Sequence, residues 1–133
     1  MIAAELGGGG QISPEPLAVG EQGIRNCLNY LGVLSDGIAP RPEPPIYFEI
    51  THHSQHIYSP HRGLFEPTFE PGDIVSKGDV VGYIHDIERI ENSRTCITFP
   101  QGGVAVTRCH RGFVERGEQL AIAGSIADRP EFQ

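Results

Sequence analysis

Residues 60–84 are a run of short apolar stretches separated by glycine turns, and a similar run returns about forty residues later. Leu64 and Phe65 follow Gly63 and open one strand. Pro71-Gly72-Asp73 is a turn, in which proline presets φ and glycine accepts a positive φ. Ile74 and Val75 are apolar, Ser76-Lys77-Gly78-Asp79 turns again, and Val80, Val81, Tyr83 and Ile84 form another strand. Pro100-Gln101-Gly102-Gly103-Val104 echoes Pro60-His61-Arg62-Gly63-Leu64, and Gly117-Glu118-Gln119-Leu120 echoes Gly78-Asp79-Val80-Val81. A half-unit of three or four short strands cannot bury an apolar face alone. Two such halves packed together can, so the expected fold is mainly β: a small two-sheet sandwich or flattened barrel of two pseudo-symmetric half-units.

The order of the motifs P-x-x-G-[LV] and G-D-x-V-x-x-G-[DE]-x-[LV] resembles the biotinyl/lipoyl barrel-sandwich hybrid. Gly63-Leu64-Phe65-Glu66-Pro67 and the run Glu70–Asp86 (E-P-G-D-I-V-S-K-G-D-V-V-G-Y-I-H-D) are similar to the C-terminal domain of the succinylglutamate desuccinylase/aspartoacylase family. The resemblance implies zinc-dependent amidohydrolases with a carboxypeptidase-like catalytic domain.

The 133 residues hold 17 glycines and 11 prolines, which favours turns and short strands over a helical bundle. A net charge of −7 argues against a nucleic-acid or anionic-membrane surface, which needs clustered Lys and Arg. No apolar run is long enough to span a bilayer, and the first residues do not read as a signal peptide. Cys27, Cys96 and Cys109 are widely spaced and form no C-x-x-C, so they read as reduced thiols in a cytoplasmic protein.

Met1–Leu6 reads as a strand end stopped by Gly7-Gly8-Gly9-Gly10. Ser13-Pro14-Glu15 starts a helix, with Ser as N-cap, Pro at the first helical position and an acid in the first turn. Ile24, Cys27, Leu28 and Leu31 make one apolar stripe, and Gly32 stops the helix, which is expected over residues 14–31. The sequence Glu5-Leu6-Gly7-Gly8-Gly9-Gly10, with Pro14–Leu34 after it, resembles the closing part of the same family's catalytic domain, especially its N-acetyl diamino acid deacetylase branch. That resemblance implies that Glu5 is the acid/base beside the zinc. From spacing alone, Glu5 is an ordinary glutamate at a strand end.

Ala39–Pro45 reads as a stiff, proline-rich linker, since proline cannot continue a helix or sit in a central strand. Residues 1–38 are then the remnant of a zinc-hydrolase domain, residues 46–127 a β-barrel domain opened by a strand at Ile46–Ile50, and residues 128–133 a polar tail. His52, His53, His56 and His61 follow that strand. Imidazole ligates zinc, but the spacing matches no closed zinc site and no acid or thiol lies among them; a solvated hairpin is the alternative. The connector Asp86–Arg94 joins the half-units. In lipoyl and biotinyl carriers the equivalent hairpin presents the modified lysine, whereas the single lysine here is Lys77, in an earlier turn. A carrier role is therefore disfavoured.

Hydrolytic zinc needs ligands that leave a position open for water. In the resembled family these are an H-x-x-E pair and a later histidine, upstream of the glutamate strand. Only His85-Asp86-Ile87-Glu88 matches H-x-x-E, and it lies inside the connector. No metal ligand is assigned, and zinc is expected in the full-length family rather than in this chain, which reads as a truncated portion of it. Two functions remain open. The first is the C-terminal portion of a zinc amidohydrolase acting on N-acyl amino acids, inactive alone, with Glu5 moving the proton of a zinc-activated water. The second is a non-catalytic β-barrel module for binding or assembly. Either way, the apolar helix stripe implies a homo-oligomer formed through the N-terminal segment.

Overall fold

The computed structural model describes residues 4, 6–10, 13–40, 44–89, 91 and 94–128. The chain divides into two compact units, Met1–Pro44 and Pro45–Gln133.

The first unit is built on one helix, α1 (Pro14–Tyr30). Ser13 sits at the N-cap with an extended backbone, although its side chain makes no capping hydrogen bond. Pro14 needs no N–H partner in the first turn, where the backbone donors are unpaired in any case. The helix ends one residue earlier than expected, because Leu31 is the C-cap. Gly32, at φ +72°, takes the left-handed position that follows. Its N–H donates to the Asn29 carbonyl at 3.1 Å, and the Val33 N–H reaches back to Leu28 at 2.9 Å. This paired closure satisfies two of the last carbonyls of the helix. The chain then folds back along α1. The Asn26 amide donates to the Ala39 carbonyl and accepts from the Ala39 N–H, both at 3.0 Å. No residue of α1 is buried. Along the apolar stripe, Ile24 is 64% exposed and Leu31 70%.

Among the described residues the second unit has nine strands: β1 (Phe48–Glu49), β2 (His56–Tyr58), β3 (Gly63–Pro67), β4 (Ile74–Val75), β5 (Val80–His85), β6 (Thr95–Thr98), β7 (Gly103–Arg108), β8 (Phe113–Val114) and β9 (Gln119–Ile126). One sheet runs β1-β9-β7-β4, with β2 also on β9; the other runs β6-β5-β3-β8. All pairings are antiparallel. With α1, this is a mainly β fold of two sheets and one helix, as in a small β-sandwich.

The pairing follows a rule. The first half holds β2–β5 and the second β6–β9. Within each half, only the second and fourth strands pair with each other: β3 with β5, and β7 with β9. Apart from β1 on β9, the other ladders cross between halves: β2 with β9, β6 with β5, β4 with β7, and β8 with β3. The turns repeat as well. In Ser76–Asp79 and Glu115–Glu118 the last side chain accepts the N–H of the first residue, at 2.7 and 2.8 Å. The third residue of each, Gly78 at φ +94° and Gly117 at φ +85°, bonds across to Phe99 and Ser59 respectively. Gly63 and Gly103 are also equivalent. A Cβ at Gly63 would lie 2.5 Å from the His85 carbonyl oxygen, and one at Gly103 would collide with that of Gly124. Side chains are thus excluded where the second and fourth strands of each half approach most closely.

The core lies between the sheets. Val81, Ile84, Ala105, Val114, Leu120, Ala121 and Ala123 have no exposed area, and Phe99 is nearly as enclosed. Phe69 meets Phe99 edge-on, with ring centroids 5.3 Å apart.

Two expectations need correction. The strand expected over Ile46–Ile50 is only Phe48–Glu49. Its partner β9 ends where Phe48 faces Ile126, and beyond that pair the Ala127 N–H still donates to the Tyr47 carbonyl at 2.9 Å. On the other side the Gln55 amide takes over the backbone groups, accepting from the N–H of Thr51 at 2.8 Å and of His52 at 2.7 Å and donating to the Glu49 carbonyl at 2.7 Å. The polar segment after it is not a solvated hairpin but a 3-10 turn, His53–Gln55, leading into β2. Gln55 is 1% exposed and Ile57 6%, which anchors this segment to the core.

Candidate functional site

Glu5 lies outside the described residues, so its role remains an expectation. Leu6 beside it is described, and its Cδ1 lies against Gly20 of α1, where a Cβ would stand 2.6 Å away. Glycine at position 20 therefore leaves room for the Leu6 side chain against the helix.

The histidines of residues 52–61 do not converge. His52 Nδ1 pairs with the Ser54 hydroxyl at 2.8 Å, and its ring stacks obliquely on His53 at 4.3 Å. His56 Nδ1 pairs with Gln119 Oε1 across the β2–β9 ladder at 3.0 Å. His61 is committed through both ring nitrogens, to the Arg62 carbonyl at 2.9 Å and the Thr95 hydroxyl at 2.8 Å. The letters His85-Asp86-Ile87-Glu88 do not make a site either. His85 Nε2 meets Glu66 Oε2 at 2.6 Å on the exposed face of the sheet, while Glu88 Oε1 accepts from Arg62 at 3.0 Å. Among the described residues, no group of three or more His, Cys, Asp or Glu could hold a metal ion. The described donor set does not fit the zinc that the resembled family implies.

A cleft of about 520 Å³ opens at one end of the β6-β5-β3-β8 sheet, lined by His61, Arg62, Glu88, Thr95 and Phe113 among others. Arg62 anchors it. Its guanidinium bridges Glu88 at 3.0 Å and Glu115 at 3.5 Å and lies 5.0 Å from the centre of the Phe113 ring. On the neighbouring face Arg94 stacks 3.6 Å from the Tyr83 ring centre and lies 3.7 Å from Glu66. Arg62 and Arg94 are thus each held by a glutamate and an aromatic ring. Sequence reasoning passed over Arg62 and Gln55, because neither residue type signals its partners; both act through groups distant in the chain. Cys27 and Cys96 are exposed, Cys109 is half-buried, and all three are free thiols. Among the described residues, no helix is long and apolar enough to cross a membrane.

A helix-bearing segment joined to a two-sheet β unit defines the class, and comparison with known proteins gives the relationship. No protein-family model matches the chain. It is 32% identical over 127 residues to the N-alpha-acetyl-L-2,4-diaminobutyric acid deacetylase of Halomonas elongata, covering 96% of this chain and 37% of that protein. It superposes on the succinylglutamate desuccinylase/aspartoacylase of Rhodobacter sphaeroides with a TM-score of 0.81 at 28% identity, covering 93% of this chain and 39% of the other. The ectoine utilization protein EutE (DoeB) of Ruegeria pomeroyi, solved with product bound, gives 0.81 at 26% identity, covering 91% and 36%. The chain is thus homologous, over most of its length, to proteins of the succinylglutamate desuccinylase/aspartoacylase family. It spans little more than a third of the length of these relatives.

Proposed function

We propose that this chain is a non-catalytic β module of the deacylase-related family, serving binding or assembly rather than chemistry. The observation that carries this reading is the dispersal of the imidazoles: His52, His56, His61 and His85 each hold a different partner. In this reading the β unit is a barrel-sandwich hybrid of the biotinyl/lipoyl type without a carrier role, since its connector 86–94 contains no lysine to modify. The exposed stripe of Ile24 and Cys27 on α1 and Leu31 at its C-cap is the assembly surface, through which the protein self-associates in the cytoplasm.

The relationship to a named deacetylase supports a second reading, in which the chain works joined to a zinc-bearing domain of the kind the family resemblance implies. There Glu5 is the candidate general acid/base for hydrolysis of an N-acyl amino acid.

The test is hydrolysis of N-acetyl diamino acids by the chain alone and by the chain fused to the zinc-bearing portion of a relative, with zinc titrated by calorimetry in parallel. The chain alone is expected to show neither turnover nor a stoichiometric zinc site. Zinc-dependent turnover by the chain alone would overturn the non-catalytic reading. Turnover by the fusion alone supports the second.

A further inference from the structure

More of the strand ladders of the β unit run between its two halves than within them. Each half has a single ladder of its own, and four ladders join it to the other half. The covalent link between the halves is the connector 86–94. Its ends are already neighbours across the β5–β6 ladder, where Ile84 faces Thr95. The connector therefore closes a ladder whose register is set by the strands rather than by the loop.

The halves are similar in pattern but not in side-chain volume. Phe65 in β3 corresponds to Ala105 in β7, Ile84 in β5 to Ala123 in β9, and Ser59 before β3 to Phe99 before β7. All six are buried. A pairing of two first halves would double Phe65 and Ile84 and leave Phe99 out. A pairing of two second halves would place alanine at all four of the positions that Phe65 and Ile84 share with their equivalents. Overpacking and cavities are both destabilising in a close-packed interior. First-with-second pairing is the combination that fills the space.

We propose that each half of the β unit is a recognition surface for the opposite half of any copy of this chain. The connector is then dispensable for recognition, and the partner it fits is the complementary half of a second copy. This goes beyond the assembly role assigned to α1, because it uses none of the helix surface.

The test uses the full chain with a protease site inserted in the connector. After cutting, the two pieces are expected to stay together as an equimolar complex in size exclusion and native mass spectrometry. Mass-labelled and unlabelled cut protein, unfolded together and refolded, should give mixed first–second complexes at the statistical frequency and no first–first or second–second pairs. Separation of the pieces on cutting, or like-with-like pairs in proportion, would sink the proposal. A circular permutant, with its termini in the connector and its original ends joined, answers the same question without cutting. Its folding supports the proposal. Failure of both the permutant and the cut chain to keep a cooperative thermal transition overturns it.

Discussion

The unit Pro45–Gln133 and the unit Met1–Pro44 solve the problem of burial in opposite ways. The β unit closes two sheets over a continuous core, and all the buried hydrophobic side chains among the described residues belong to it. The helical unit holds its shape by polar ties, with the Asn26 amide on Ala39 and Asn29 on Gly37, and buries none of its helix. A sheet pair can enclose apolar side chains within itself. A single helix has one apolar face and needs another surface to cover it. The contrast predicts that stability resides in the β unit, and that the helix stripe answers to association.

The sharpest way to break this comparison is at Glu5. In the chain fused to a zinc-bearing domain, Glu5→Gln should lower kcat by at least ~100-fold with KM little changed, since general acid/base groups typically contribute that much or more. Near-normal turnover would remove Glu5 from the chemistry and leave the helical unit purely structural. Next comes the core. Phe99→Ala should cost about 3–5 kcal/mol, read as a fall in thermal midpoint, because it deletes a buried ring in edge contact with Phe69. The matching change Ile24→Ala in α1 should leave the β unit's transition in place. Gln55→Leu should cost about 1–3 kcal/mol, since it removes the buried amide that accepts from the Thr51 and His52 N–H groups and donates to the Glu49 carbonyl; chemical denaturation measures it.

On the helix side, Ile24→Asp together with Leu31→Asp should convert a self-associated protein to monomer in light scattering without changing the β unit's unfolding midpoint. An unchanged mass would move assembly away from the stripe. The smallest effect is expected at Arg25, whose ion pair with Asp36 is 3.2 Å long with both side chains more than half exposed. Arg25→Ala should shift stability by less than about 0.5 kcal/mol, as exposed pairs do.

Much of the β unit was legible beforehand. Glycine turns, β-branched runs and the forty-residue echo are local signals, and they placed β3, β5, β7 and β9 close to where they lie. The helix was legible from its serine–proline start and glycine stop. β8 and β2 were not read, because strands of two or three residues carry too little periodicity to stand out from a turn. The candidate site was less legible. Glu5 came from resemblance rather than from spacing, and it lies outside the described residues. The histidine run was noticeable as composition, but its meaning depended on where each ring pointed.

By itself the sequence determined the elements: which residues could turn, which could extend, and that two similar halves had to share one core. Backbone conformation and apolar patterning act over a few residues, so they are written along the chain. Only the tertiary structure decided the exchange of partners between halves, the capture of β1 and the 3-10 turn by Gln55, and the separation of the histidines onto Ser54, Gln119, Thr95 and Glu66. Most of those contacts join residues far apart in sequence. Their formation depends on how two sheets settle on a common set of buried side chains, and local signals do not encode that packing.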